Sequence, residues 1–151
     1  KAQEIALKVV KDLDFIGLLA VEMFQTEADT ILVNEVAPRP HNSGHYSIEA
    51  SDTNQFEQHL RSILNLPLGN TESTVAGIMV NLVGEEGFSG AVVYENINDI
   101  LKIDGVTPHI YGKKETRPFR KMGHVTIVNN DIAKAREIAQ KVKETIRVIS
   151  K

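Results

Sequence analysis

Cysteine is absent from the 151-residue chain, so neither a disulfide framework nor a thiolate metal site is open to it. An excess of one charge is missing as well. Seventeen basic against 20 acidic residues leave a formal net charge of −3 spread along the chain, which gives no pull toward nucleic acid or an anionic membrane. No apolar run approaches the length that spans a bilayer, and no signal-peptide pattern opens the sequence. A cytosolic location is therefore permitted. Internal repeats and low-complexity tracts are lacking too. What is present, 42% hydrophobic and 25% charged residues, is the composition of a globular protein with one ordinary domain or two small ones.

An initiator Met and an N-cap are also missing from the opening "KAQEIALKVVKDL". Ala2, Ile5, Ala6, Val9, Val10 and Leu13 already follow the i, i+3, i+4 spacing of a buried helical face. A chain that starts partway through a domain is the expectation, with an active site incomplete in what is present.

After a turn at Asp14–Gly17, "LLAVEMF" (Leu18–Phe24) and "ILVNEV" (Ile31–Val36) read as strands of an antiparallel hairpin. Ala37–Asp52, rich in Pro, Gly, Ser, Asn and His, reads as a long irregular loop of the kind that carries function. Asn54 with Glu57 three residues on is a capping-box variant for a helix. Its apolar face is Phe56, Leu60, Ile63 and Leu64, and Pro67 ends it. A second lobe holds a buried strand at Val75–Gly84, a short helix at Ile97–Ile103 and a short strand at Pro108–Gly112. It continues with a basic loop at Lys113–Lys121, a strand at Met122–Val128 and a final helix capped by Asp131. That helix presents Ile132, Ala135, Ala139, Val142 and Ile146 on one face. The class is α+β, with lobes Lys1–Pro67 and Leu68–Lys151.

Folding the hairpin about Ala28 and Asp29 sets Glu22 opposite Glu35, Phe24 opposite Val33 and Ala20 opposite Ala37. Like charges directly opposite on one sheet face are destabilising, the more so if buried, unless one is protonated or a cation lies between them. A hard divalent ion such as Mg2+ takes one or two carboxylates and completes its shell with water and phosphate oxygens. Spacing alone slightly favours two acids on a solvated face. Their apolar surroundings in "LLAVEMF" and "ILVNEV" shift the balance toward a metal site.

The continuation "APRPHNSGH" adds the rest. Pro38 and Pro40 restrict the backbone on both sides of Arg39, whose guanidinium fork suits carboxylate or phosphate oxygens. His41 and His45 can carry a proton near neutral pH. Asn42, Ser43 and Gly44 offer donors and a close backbone approach to an anion. A lone loop histidine is more often a surface residue. The clustering directly after a candidate metal acid is what singles this segment out.

"NEVAPRPHNSGHYSIEASDTNQFEQHLRSILNLPLG" (Asn34–Gly69) resembles the C-terminal part of the N5-carboxyaminoimidazole ribonucleotide synthetase family, in the ATP-grasp superfamily. "YGKKETRPFRKMGHVTI" (Tyr111–Ile127) is similar to that family's closing segment. The resemblance implies the C-terminal half of an ATP-grasp domain over Lys1–Pro67, with the metal, ATP and bicarbonate site. It implies a small mixed α/β lobe over Leu68–Lys151, with the ribonucleotide phosphate site.

The reaction implied joins bicarbonate to 5-aminoimidazole ribonucleotide at the expense of ATP, through carboxyphosphate, with Mg2+ or Mn2+. Glu22 and Glu35 match the metal ligands, and Asn34 an ATP- and metal-site position that would need a bulge or a backbone contact. Arg39 and His41 match catalytic positions near the carboxyphosphate, Arg39 stabilising charge and His41 either handling a proton or orienting its neighbours. Asn42, Lys113 and Arg120 match substrate-binding positions, the last two on the ribonucleotide phosphate, with Arg117 and Lys121 adding charge nearby. A homodimer and functional coupling to the mutase that takes the product are implied as well. The competing readings are formate-dependent glycinamide ribonucleotide formyltransferase, which shares a "PRPH" stretch, and a non-catalytic dimerisation or binding module. Biotin-dependent carboxylases fit less well, since no biotin-handling feature is visible.

Overall fold

A computed structural model describes residues 1–151, which divide into two compact units. The first comprises Lys1–Ile48 and Asp52–Glu72, the second Glu49–Ser51 and Ser73–Lys151. No helix is long and apolar enough to cross a membrane.

The first unit opens with helix α1 (Ala2–Asp12), whose N-cap Lys1 makes no side-chain capping bond. Gly17, at φ +129°, turns the chain after it, and the Leu18 N–H donates to His59 Nδ1 at 3.0 Å. Strands β1 (Ala20–Gln25) and β2 (Ile31–Ala37) follow as an antiparallel pair. Ala20 pairs with Ala37 and Glu22 with Glu35, as the constant sum of positions predicts. Beyond them the register slips: Met23 pairs with Val33 and Phe24 with Leu32, not with Val33 as expected. The extra residue is Asn34, a β-bulge that re-aims the strand at its acidic end.

The expected irregular loop holds a 3-10 turn at Asn42–Gly44 and a short helix, α2 (Ser47–Ala50). Helix α3 (Gln55–Ile63) is capped by Asn54, whose side chain accepts from the N–H groups of Phe56 and Glu57. The reciprocal capping-box bond is not made, because the Glu57 carboxylate takes Arg61 at 2.6 Å instead. The helix stops before Pro67, where Asn65 adopts a left-handed conformation at φ +53°. Its predicted buried face is exposed, Leu60 at 53% and Leu64 at 62%. In α1 no residue is fully buried, but Ile5, Ala6, Val9 and Val10 of the predicted face are half-buried. A two-stranded sheet is too small to cover both helices.

The second unit carries the apolar core. Its first sheet has the order β3-β7-β5, from Ala76–Val83, Lys121–Asn129 and Val106–Ile110. Its second sheet, β6-β4-β8, joins Glu115–Thr116, Gly90–Glu95 and Arg147–Ser150. Strands β4, β6 and β8 lay outside the sequence reading, and β6 falls inside the expected basic loop. The short helix α4 covers Ile97–Ile100. Helix α5 (Ile132–Thr145) starts at Asp131, whose side chain accepts from the Ala133 N–H. It packs on β3 and β7 and buries Ala135, Ala139 and Val142 against Val125, Ile127, Met122 and Ile100. Six consecutive residues of β7, Met122 to Ile127, are buried, as a central strand covered on both faces requires.

Candidate active site

The bulge at Asn34 and the turn after β2 gather one cluster in the first unit. One ligand atom each from Glu22, Glu35 and His41 lies within 4.8 Å of the others. Glu22 and Glu35 arrive there as a cross-strand pair, and the His41 Nε2 sits 3.2 Å from Glu22 Oε1. The histidine side chain is largely covered (12% exposed), whereas that of Glu22 is open to solvent at 44%.

Local bonding fixes the His41 tautomer. The Ser43 N–H, which can only donate, points at His41 Nδ1, and the Ser43 hydroxyl lies 2.8 Å from the same nitrogen. Nδ1 is thus an acceptor and Nε2 carries the proton, facing Glu22 Oε1 across 3.2 Å. His41 as placed steadies a carboxylate. Two carboxylate oxygens and one imidazole nitrogen at this separation fit Mg2+ or Mn2+, with Glu22 and Glu35 as the hard ligands and His41 aligning Glu22.

Gln55, the first residue of α3, holds that histidine in place, and no motif pointed to it. Its Oε1 accepts from the His41 N–H at 2.8 Å, and its Nε2 donates to the His41 carbonyl at 2.9 Å and to His45 Nδ1 at 2.7 Å. Gln55 is buried, and the His45 ring stacks on Phe56 at 5.6 Å. Around it, the Gln55 N–H donates to Ser47 Oγ, and that hydroxyl donates to the Gly44 carbonyl at 2.5 Å. A Cβ at Gly44 would stand 2.5 Å from Gln55 Oε1, so a larger residue there has to displace the Gln55 amide. The one signal in the sequence was the glycine between the two histidines.

The other predicted residues of this unit are placed as follows. Asn34 is the exposed bulge residue next to Glu35. Arg39 is exposed at the strand end and turns Nη1 onto the Pro40 carbonyl at 3.0 Å. Asn42 opens the 3-10 turn and is half-buried.

Lys113 and Arg120 belong to the second unit. Lys113 Nζ donates to the Lys121 carbonyl at 2.5 Å, and Arg120 Nη1 to the Glu115 carbonyl at 2.8 Å. Each end of the basic loop is therefore folded back on the other. Phe119, at φ +62°, makes the bend, and the loop docks on Gly84, where a Cβ would stand 2.2 Å from the Arg117 carbonyl. Arg117 and Lys121 are exposed beside them.

The chain is similar to known proteins over most of its length. The family described as ATP-grasp domain matches residues 1–56, and the phosphoribosylaminoimidazole carboxylase C-terminal domain matches residues 77–138. The chain is similar to N5-carboxyaminoimidazole ribonucleotide synthase of Bacillus subtilis, 48% identical over 128 residues, which cover 85% of this chain and 32% of that protein. It is 40% identical over 142 residues to phosphoribosylaminoimidazole carboxylase of Saccharomyces cerevisiae, covering 91% and 24%. Among solved structures, N5-carboxyaminoimidazole ribonucleotide synthetase from Thermotoga maritima superposes with a TM-score of 0.94 at 53% identity, covering 99% of this chain and 42% of that one. The Aspergillus clavatus enzyme in complex with ADP and 5-aminoimidazole ribonucleotide gives 0.82 at 36% identity, covering 95% and 38%. The chain thus spans a third or less of the curated relatives' length.

Proposed function

We propose that this chain, which belongs to the N5-carboxyaminoimidazole ribonucleotide synthase family, supplies the metal acids and the substrate-phosphate cations for ATP-dependent carboxylation of 5-aminoimidazole ribonucleotide in purine biosynthesis. The activity is that of a protein of the relatives' full length, and the chain alone is expected not to turn ATP over. The metal and ATP site falls in Lys1–Pro67 and the ribonucleotide phosphate site in Leu68–Lys151. The observation that carries the reading is the Glu22–Glu35–His41 cluster, set at the bulge that frees Asn34.

In this reading Glu22 and Glu35 hold Mg2+ or Mn2+ through their carboxylates, and the ion neutralises charge on the nucleotide phosphates when bound. His41 keeps Glu22 oriented through its Nε2 proton. With Nε2 protonated and the Nδ1 lone pair taken by Ser43, His41 orients its neighbours in this reading and does not accept a proton. Arg39, on its proline-flanked turn, swings from the Pro40 carbonyl to the carboxyphosphate oxygens and stabilises the charge that develops there. Asn42 contributes a donor to the same substrate, and Asn34 contacts the nucleotide from the bulge. Lys113 and Arg120 neutralise the ribonucleotide phosphate, their side chains already steered by backbone carbonyls of the loop that carries them. A cytosolic homodimer that hands its product to the mutase completes the reading, and sedimentation and a coupled assay test those two points.

The deciding experiment is ADP release by the full-length protein, with 5-aminoimidazole ribonucleotide and bicarbonate each added and withheld. ATP consumption that needs the aminoimidazole ribonucleotide and yields the carboxylated product supports the reading. Consumption that follows formate and glycinamide ribonucleotide moves the substrate to the formyl-transferring relative and leaves the metal site standing.

A further inference from the structure

The second unit holds a column of polar side chains that the proposed reaction does not use. Glu49 Oε1 lies 2.6 Å from His109 Nε2. The His109 ring stacks on His124, centroids 4.4 Å apart and planes 13° from parallel. The Tyr111 hydroxyl lies 3.0 Å from His124 Nδ1. His109 and His124 are cross-strand partners on β5 and β7, so their rings share one face of the sheet. The strands come this close because the neighbouring residue is Gly123, where a Cβ would stand 2.4 Å from the His109 carbonyl. Burial raises the Tyr111 pKa, which keeps the phenol protonated and able to donate to His124.

Packing alone does not call for these residue types. A half-buried acid and histidine beside the buried His124 are costly to desolvate, and apolar side chains of similar volume would hold the sheet as well. Here Glu49 even leaves Oε2 buried with no hydrogen-bond partner. What a polar column adds is a single orientation for the group at its end. That group is Tyr111, and the Lys113 ammonium rests over its ring, 5.8 Å from the centroid.

We propose that Glu49, His109, His124 and Tyr111 are positioning residues: stacked in series, they fix the Tyr111 ring beneath Lys113 and so set how tightly Lys113 holds the substrate phosphate. This inference rests on Lys113 being a ribonucleotide phosphate ligand.

Steady-state kinetics on the full-length enzyme test it. Tyr111→Phe keeps the ring and removes only the hydroxyl. The KM for 5-aminoimidazole ribonucleotide is expected to rise about fivefold, the loss of one modest hydrogen bond, with kcat and the KM for ATP unchanged. Glu49→Leu, at the far end of the column, is expected to shift the same KM in the same direction. In a Lys113→Ala background neither substitution should raise it further, because the effect travels through Lys113. An unchanged KM in Tyr111→Phe overturns the proposal, as do equal effects with and without Lys113 or a joint loss of ATP and ribonucleotide affinity. If Lys113→Ala by itself leaves the ribonucleotide KM unaltered, the phosphate-site reading fails and takes the column's role with it. If Lys113→Ala weakens binding but Tyr111→Phe does not, the column alone is refuted.

Discussion

Glu22 and Glu35 face each other across the β1–β2 ladder at the last pair before Asn34 bulges out of it. With no cation between them the pair is repulsive, and the His41 Nε2, 3.2 Å from Glu22 Oε1, offsets part of that. Under the proposed metal site, a divalent ion would convert the same arrangement into an attraction.

Glu35→Gln separates these two contributions. In the full-length protein the substitution is expected to leave the metal-free melting temperature unchanged or slightly raised, since one of two facing charges is gone. The rise in melting temperature on adding Mg2+ and ATP should disappear with it, and ADP release should fall to background. Turnover near that of the unmodified enzyme would remove Glu35 from the metal site.

The His41 loop yields a size-exchange test. Gly44→Ala pushes a methyl group to 2.5 Å from Gln55 Oε1 and should displace the side chain that clamps His41 on both sides. Gln55→Ala leaves the His41 N–H and carbonyl without these partners, at a cost of about 1–3 kcal/mol for each buried group left unpaired. Both single variants are expected to lower kcat by distorting His41. The double variant should be no worse than Gln55→Ala, because the clash has gone with the amide. Additive losses, read by chemical denaturation and by turnover, would mean that Gly44 and Gln55 do not act through one another.

The hairpin register was legible because a strand alternates every two residues and a turn conserves the sum of paired positions; hence Glu22 was found opposite Glu35. The bulge was not, since one extra residue in a strand leaves no periodic trace, and Phe24 came out one position wrong. Asn34 betrayed it only indirectly, by needing a bulge for its implied role. The cap at Asn54 was read correctly from residue types, but a polarity pattern says that an apolar face needs covering and not what covers it. Leu60 and Leu64 are exposed for that reason. Strands β6 and β8, of two and four residues, are too short to carry a period. Gln55 escaped because a glutamine at a helix start is unremarkable until the loop it grips is folded.

The uneven distribution of the core makes a contrast that unfolding can measure. Ile127 is fully buried against α5, whereas Leu64 is 62% exposed. In the 151-residue chain, Ile127→Ala is expected to cost about 2–5 kcal/mol. Leu64→Ala should stay within about 0.5 kcal/mol. Equal costs in urea titrations would contradict the described burial of α3 and β7.

Alkaline pH should reach the second unit through two tyrosines. Burial raises the pKa of both Tyr94 and Tyr111 above the ordinary value of 10.0. A group whose folded pKa is raised ionises first in the unfolded chain. The stability it contributes is therefore intact below pH 10 and declines as pH climbs through the folded value. Tyr94, once ionised, also stops donating to the Met122 carbonyl, 3.1 Å away. Stability measured from pH 8 to 11.5 is expected to be flat and then to fall. Tyr94→Phe should flatten the fall while lowering stability at pH 8 by the lost hydrogen bond, about 1 kcal/mol. A stability profile that stays flat to pH 11.5 would contradict the raised pKa values of both phenols.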